Sequence, residues 1–174
     1  MSKKRQNEFL VLYKPYHEKF ERFCRARVYG DFDFEDLMNE TLLKAYEKFD
    51  GLRSKEAFFS FLCSIAVRIL ANNNRKKKVQ EVVLKDADKN IRDNSQPIEL
   101  KAEVEMLYQA LALLPNEQRE SIVLFEISGF SIKEIAEIQC ASESSVKQRL
   151  RRGREKLRQL LSVSVQKTKE GKHE

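Results

Sequence analysis

Apolar residues recur three and four positions apart along most of the chain, the spacing that puts them on one face of an α-helix. Between Glu8 and Arg27 the stripe is Phe9, Leu12, Tyr13, Tyr16, Phe20 and Phe23, and Pro15 predicts a kink or break within it. Asp33 is placed to cap a second helix, with Glu35 and Asp36 in its electropositive first turn. Its buried face would be Leu37, Thr41, Leu42, Ala45, Tyr46 and Phe49, and Asp50-Gly51 would end it. Ser54 can cap a third helix carrying Phe58, Phe61, Leu62, Ile65, Ala66, Ile69 and Leu70. Phe59 falls off that stripe. These three helices predict a compact bundle that ends at the basic run Arg75 to Lys78.

From Val82 to Pro97 the periodicity fades into Asp, Lys, Asn, Ser and Gln, the pattern of a solvated, flexible linker. A second helical unit follows. Leu100, Val104, Leu107, Leu111 and Leu114 line a helix that Pro115 ends, and a further helix holding Ile122, Val123 and Phe125 runs to Gly129. The expected fold is therefore all-α. Two small helical domains, residues 6–79 and 99–162, are joined by a linker over 80–98 and followed by a polar tail over 163–174.

The clearest motif lies in the second unit. Ser131 and Glu134 have capping-box spacing. Two helices crossing steeply need a small residue where they touch, a tight turn, and an aliphatic on the second helix facing back. Ala136, Cys140-Ala141 and Val146 supply these in order, and Ser142 can cap the second helix, with Val146, Leu150, Gly153, Leu157 and Leu160 as its buried stripe. Ser144 and Ser145 stand near its start, followed by Lys147, Arg149, Arg151, Arg152, Arg154, Lys156 and Arg158 with Glu155 as the one acid among them. Short polar side chains near a helix start, flanked by cations for phosphates, suit a helix that enters the DNA major groove. An ordinary surface helix would alternate the sign of its charges.

Composition agrees. The chain has 174 residues, only 5 Gly and 3 Pro, no Trp, 34% charged residues and a net charge of +6, which favours helices and a polyanionic partner. No apolar run approaches the roughly 20 residues of a membrane-spanning helix, and the basic start Met1 to Arg5 leads into polar sequence rather than a signal peptide. A cytoplasmic protein without membrane insertion is expected. Cys24, Cys63 and Cys140 are far apart and His17 and His173 are the only histidines, so neither a metal nor a cofactor is expected. There is no phosphate-binding glycine loop and no set of His or Cys residues suited to catalysis, so the chain does not read as an enzyme.

Three runs in the second unit, Leu111 to Glu120, Gly129 to Glu137 and Ser145 to Leu157, resemble region 4 of bacterial extracytoplasmic-function sigma factors of the sigma-70 family. Phe34 to Tyr46 resembles their region 2.2, and Ala57 to Ala66 their regions 2.3 and 2.4. The helix-turn-helix alone would also suit LuxR-type regulators; the two halves in this order are more specific, and the likeness covers about residues 9–161.

The resemblance implies a transcription initiation factor without catalytic activity. Its partners would be core RNA polymerase, through the β′ clamp helices and β flap, promoter DNA at the −35 and −10 elements, and an anti-sigma factor. Transferred by motif position, Asp36, Asn39, Glu40, Thr41 and Lys44 would meet polymerase. Arg53, Ser54, Lys55, Phe59, Arg68, Asn72 and Asn73 would handle the −10 strand, and Ser144, Ser145, Lys147, Gln148, Arg151 and Arg152 the −35 duplex. The chain departs from the family pattern at Ser54-Lys55-Glu56, which carries no glycine after Arg53, at Phe61 in place of the usual tryptophan, at Ser64 in place of an arginine, and at Cys140 in place of the turn glycine. The alternative is a stand-alone helix-turn-helix regulator with an N-terminal interaction bundle.

Overall fold

The computed structural model describes residues 3–29, 33–81 and 98–170, with side chains over 3–29, 33–74 and 102–162. It is all-α, with no strand among the described residues. The first long stripe splits at Pro15 as its chemistry requires. Helix α1 (Lys3–Tyr13) gives way to a single 3-10 turn, Lys14–Tyr16, and then to α2 (His17–Val28). Asp33 caps α3 (Phe34–Glu47) by accepting the Glu35 amide at 2.8 Å, and a 3-10 turn over Phe49–Gly51 ends it. Ser54 Oγ accepts the Ala57 amide at 3.3 Å, one turn ahead of α4 (Phe58–Glu81). Helix α4 thus runs through the basic Arg75 to Lys78 and past the expected boundary at residue 79; the expected linker over 82–97 lies outside the described residues.

The first domain is built around rings. Phe9 meets Tyr46, Phe49 and Phe58 edge to face, with centroids 5.3–5.4 Å apart. Phe20, Phe23, Leu37, Ala45 and Leu62 are fully buried beside Cys24 and Cys63, and burial pushes both thiols well above their ordinary range.

In the second domain α5 (Ile98–Ala112) stops before Pro115, and α6 (Asn116–Ile122) passes into a π-helical turn, Val123–Ile127. Gly129, at φ +72°, closes it with the Phe130 amide donating back to the Leu124 carbonyl. Leu111 and Leu114 are buried as expected; Val104 is instead 40% exposed. The capping box of α7 (Ile132–Gln139) is complete: Glu134 N donates to Ser131 Oγ and Ser131 N donates to the Glu134 carboxylate. The Ser131 hydroxyl, which donates to the Glu134 carboxylate at 2.7 Å, and after it the Ser131 amide hold that carboxyl below the ordinary glutamate range. Its stabilisation is full above that range and fades as pH falls through the lowered value.

The turn into α8 (Glu143–Glu170) is made by Cys140 at φ 50°, ψ 47°, the left-handed conformation a glycine would adopt without strain. Val146 is fully buried behind the turn, and at Gly153 the α8 backbone lies so close to α6 that an added Cβ would sit 3.0 Å from Ile122 Cγ1. Two stability effects of opposite sign follow. Cys140→Gly relieves the left-handed strain and raises the unfolding free energy by about 1 kcal/mol. Gly153→Val overpacks the α6–α8 contact and lowers it by about 1–3 kcal/mol. Urea unfolding followed by circular dichroism measures both; a destabilised Cys140→Gly would show that the turn is held in place by the cysteine itself.

Candidate nucleic-acid and polymerase interfaces

Ser144, Lys147, Gln148 and Arg151 follow one another at helical spacing on the exposed side of α8, with Arg152 beside them. Val146, Leu150 and Gly153 occupy the opposite, buried side. Ser145 is half-buried, and its hydroxyl lies 2.8 Å from that of Ser142 at the helix start. Not all the basic charge on this helix faces outward. Arg149 donates to Gln139 at 3.0 Å and pairs with Glu117 at 3.0 Å, bracing α8 against α7 and α6. Arg154 pairs with Glu126 at 2.7 Å and Arg158 with Glu155 at 3.0 Å. Among the described residues, Lys147, Arg151, Arg152 and Lys156 have no carboxylate partner, so the uncompensated charge gathers on the Lys147–Arg152 face.

On α3, Asp36, Asn39 and Glu40 are open to solvent or nearly so, and Lys44 lies 2.5 Å from Glu40 one turn on. Leu43 extends the same face with 61% of its surface exposed, an apolar member that periodicity placed nowhere. Thr41 does not belong to this surface. It is fully buried, because position 41 shares the inward face with Leu37 and Ala45.

The expected −10 residues divide. Arg53, Ser54 and Lys55 are exposed in the loop before α4, and Arg68 and Asn72 are exposed one turn apart on α4, with Asn73 half-buried beside them. Phe59 is only 5% exposed. Its ring stacks on Tyr16 and on Phe130, with centroids 5.4 and 5.2 Å apart, and Lys19 Nζ sits 4.5 Å from its centroid. Phe59 misses the apolar stripe of its own domain because it packs against the other domain, which periodicity within one helix cannot reveal. The aromatic with surface on the outer side of α4 is Phe61, half-buried and in helical register with Ser64, Arg68 and Asn72. The sequence signal for it was its position in place of the family tryptophan.

This arrangement defines a class: a helical protein with a helix-turn-helix at one end and a bundle bearing a polar helix face and a basic loop at the other. Sigma-70 region 2 matches residues 12–79, and Sigma-70, region 4, matches residues 104–157. The ECF RNA polymerase sigma factor EcfG of Rhodopseudomonas palustris is 33% identical over 132 residues, covering 74% of this chain and 71% of that protein. SigW of Bacillus subtilis is 28% identical over 170 residues, covering 90% of each. The sigma factor RpoE of Bartonella quintana, solved in complex with the anti-sigma factor NepR, superposes with a TM-score of 0.63 at 25% identity over 93% of this chain and 99% of that one. CnrH, solved with the cytosolic domain of CnrY, shares the fold at a TM-score of 0.67, over 91% of this chain and 90% of its own, at 22% identity. The chain belongs to the extracytoplasmic-function RNA polymerase sigma factors, the initiation factors that direct polymerase to promoters. No helix among the described residues is long and apolar enough to cross a membrane.

If the Lys147–Arg152 face meets duplex DNA, its side chains should divide by chemistry. Arg152→Ala is expected to weaken binding to every duplex and to flatten the dependence of log K on log salt by about one unit. Gln148→Ala is expected to change which base is preferred at one position, by about 1–3 kcal/mol. Fluorescence anisotropy on a duplex panel at several salt concentrations separates the two; equal loss on all duplexes from both substitutions would refute the division.

Proposed function

We propose that Ser144, Ser145, Lys147, Gln148, Arg151 and Arg152 read the −35 duplex, and that Asp36, Asn39, Glu40 and Lys44 dock core polymerase at its β′ clamp helices. Arg53, Ser54, Lys55, Phe61, Arg68, Asn72 and Asn73 engage the −10 strand. The single observation that carries this reading is the uncompensated basic face of α8 opposite a fully buried Val146, the geometry that lets a helix enter the major groove while its other side holds the domain together. Lys147, Arg151 and Arg152 supply phosphate contacts, and Gln148 with the serines reaches base edges. On the first domain, an aromatic beside cations and amides is the combination that grips an unpaired strand. Sigma factors act without catalysing a reaction themselves, and this chain is assigned the same role in the cytoplasm, where polymerase works.

An anti-sigma factor is a further expected partner, since RpoE of Bartonella quintana, similar over nearly its whole length, was solved with one. The region 2 match over 12–79 argues against a stand-alone regulator, which would have no use for a polymerase-docking helix.

Promoter-directed transcription with core polymerase tests the assignment. Glu40→Lys reverses charge at the centre of the α3 face and leaves α8 untouched. It should abolish initiation and co-purification with core polymerase while binding of the full chain to −35 duplex is kept. Wild-type recovery of polymerase with this variant would place the docking surface elsewhere.

A further inference from the structure

Gln139 is the last residue of α7, and three helices meet at its side chain. Its carbonyl oxygen accepts from Arg149 Nη1 of α8 at 3.0 Å, and the hydroxyl of Ser121 in α6 lies 3.0 Å from the same oxygen. Its amide nitrogen donates to the Glu120 carboxylate of α6 at 2.8 Å. A guanidinium only donates and a carboxylate only accepts, so these neighbours allow one orientation of the amide. Glu117 of α6 holds Arg149 from a second side, at 3.0 Å. By charge alone Arg149 would count among the phosphate-binding cations of α8. Its side chain is instead 22% exposed and turned towards α6 and α7.

We propose that Gln139 and Arg149 are positioning residues that set the angle at which α8 meets DNA, so that base preference depends on two side chains that touch no base. The proposal rests on the −35 reading above and adds to it what holds the reading helix at its working angle.

The other contacts of α8 hold the helix without aiming it. Val146 and Leu150 are buried, and the backbone comes so close to α6 at Gly153 that an added Cβ would meet Ile122 Cγ1 at 3.0 Å. Apolar burial is non-directional and changes little as a helix tilts by a few degrees. Hydrogen bonds are directional, and the one from Arg149 ties α8 to Gln139 one turn before Gly153. Ser144 lies nine positions before Gly153, about 13 Å along the axis at about 1.5 Å per residue. A tilt of about 10° around the Gly153 contact therefore moves Ser144 by about 2 Å and Gln148 by about 1 Å. Such shifts break a hydrogen bond to a base edge, whose partners must stay within about 3.2 Å of each other. Lys147, on a flexible four-carbon stem, still reaches a phosphate. Loss of the brace thus removes base preference before it removes phosphate contact.

The full chain bound to core polymerase tests this. The wild-type complex first selects its preferred duplex from a pool with a randomised segment. Affinities are then measured at several salt concentrations for that duplex, for its single-base changes and for an unrelated duplex. Gln139→Met keeps the length of the side chain without its hydrogen bonds. It should lower the preference for the selected duplex over its single-base changes about tenfold. Affinity for the unrelated duplex should stay within about twofold, because the phosphate contacts remain. Arg149→Met should lower preference similarly and leave the slope of log K against log salt unchanged, where loss of a phosphate contact would flatten it by about one unit. The double variant should lose no more preference than either single one, since both remove the same brace. Circular dichroism shows which variants fold. Should Gln139→Met not fold, Arg149→Met decides, together with Arg149→Lys, which keeps the charge but loses the fork. Unchanged preference, an equal loss on every duplex, additive losses in the double variant, or a slope flattened by about one unit in Arg149→Met would each overturn the brace. A wild-type complex that selects no duplex removes the −35 reading itself, and the brace with it.

Discussion

A guanidinium with almost no contact with water sits between the two halves of this molecule. An arginine buried to 1% exposure is tolerable only where its donors meet oxygens, and for Arg119 those include the carbonyls that the last turn of α2 leaves without partners. The Arg27–Glu120 pair alongside obeys the same rule, since each charge is buried because the other is. Much else follows from this double constraint. Helix α2 must end where Arg119 can reach it, α6 must present two consecutive charged residues inward, and the aromatic rings at the far end of the seam are brought into register.

The constraint extends into the DNA-reading half. Glu120 accepts from Gln139 at the last residue of α7, and the other end of that amide accepts from Arg149 of α8. The helix-turn-helix is therefore braced from behind by a polar chain that begins at the domain seam. Its front is left to Lys147, Gln148, Arg151 and Arg152. A helix carrying so many cations would repel itself if all faced one way, and the carboxylates of Glu117, Glu126 and Glu155 neutralise those that do not. One helix thus combines a glycine seat on α6 with an uncompensated outer face.

The first domain divides labour similarly among its helix faces. In α3 one face goes to the core through Leu37, Thr41 and Ala45, and the opposite one keeps Asp36, Asn39 and Glu40 in solvent with Leu43 among them. A single exposed leucine within a polar stripe adds apolar area to that face without forming a contiguous apolar patch. In α4 the aromatic pair is split by two positions of helical rotation, so Phe59 belongs to the seam and Phe61 reaches the outer side.

Much of this was legible in the chain by itself. The break at Pro15, the caps at Asp33, Ser131 and Ser142, most of the buried stripes (Val104 is the exposed exception), and the Ala136–Cys140–Val146 crossing are local rules acting over a few residues, and they hold in the structure. The basic outer face of α8 was legible for the same reason, since helical spacing alone decides which residues share a side. Tertiary structure alone decided the rest. Periodicity distinguishes an inward from an outward face but cannot say what lies beyond the outward one, so Phe59 read as available when another domain covers it. Thr41 read both as a core residue and as a docking residue, and only packing between α3 and its neighbours assigns it to the core. Nothing in the sequence singles out Arg27, Glu120 and Arg119, because residues more than 90 positions apart in the chain meet only after both domains have folded, and the carbonyls that hold Arg119 carry no signature in sequence.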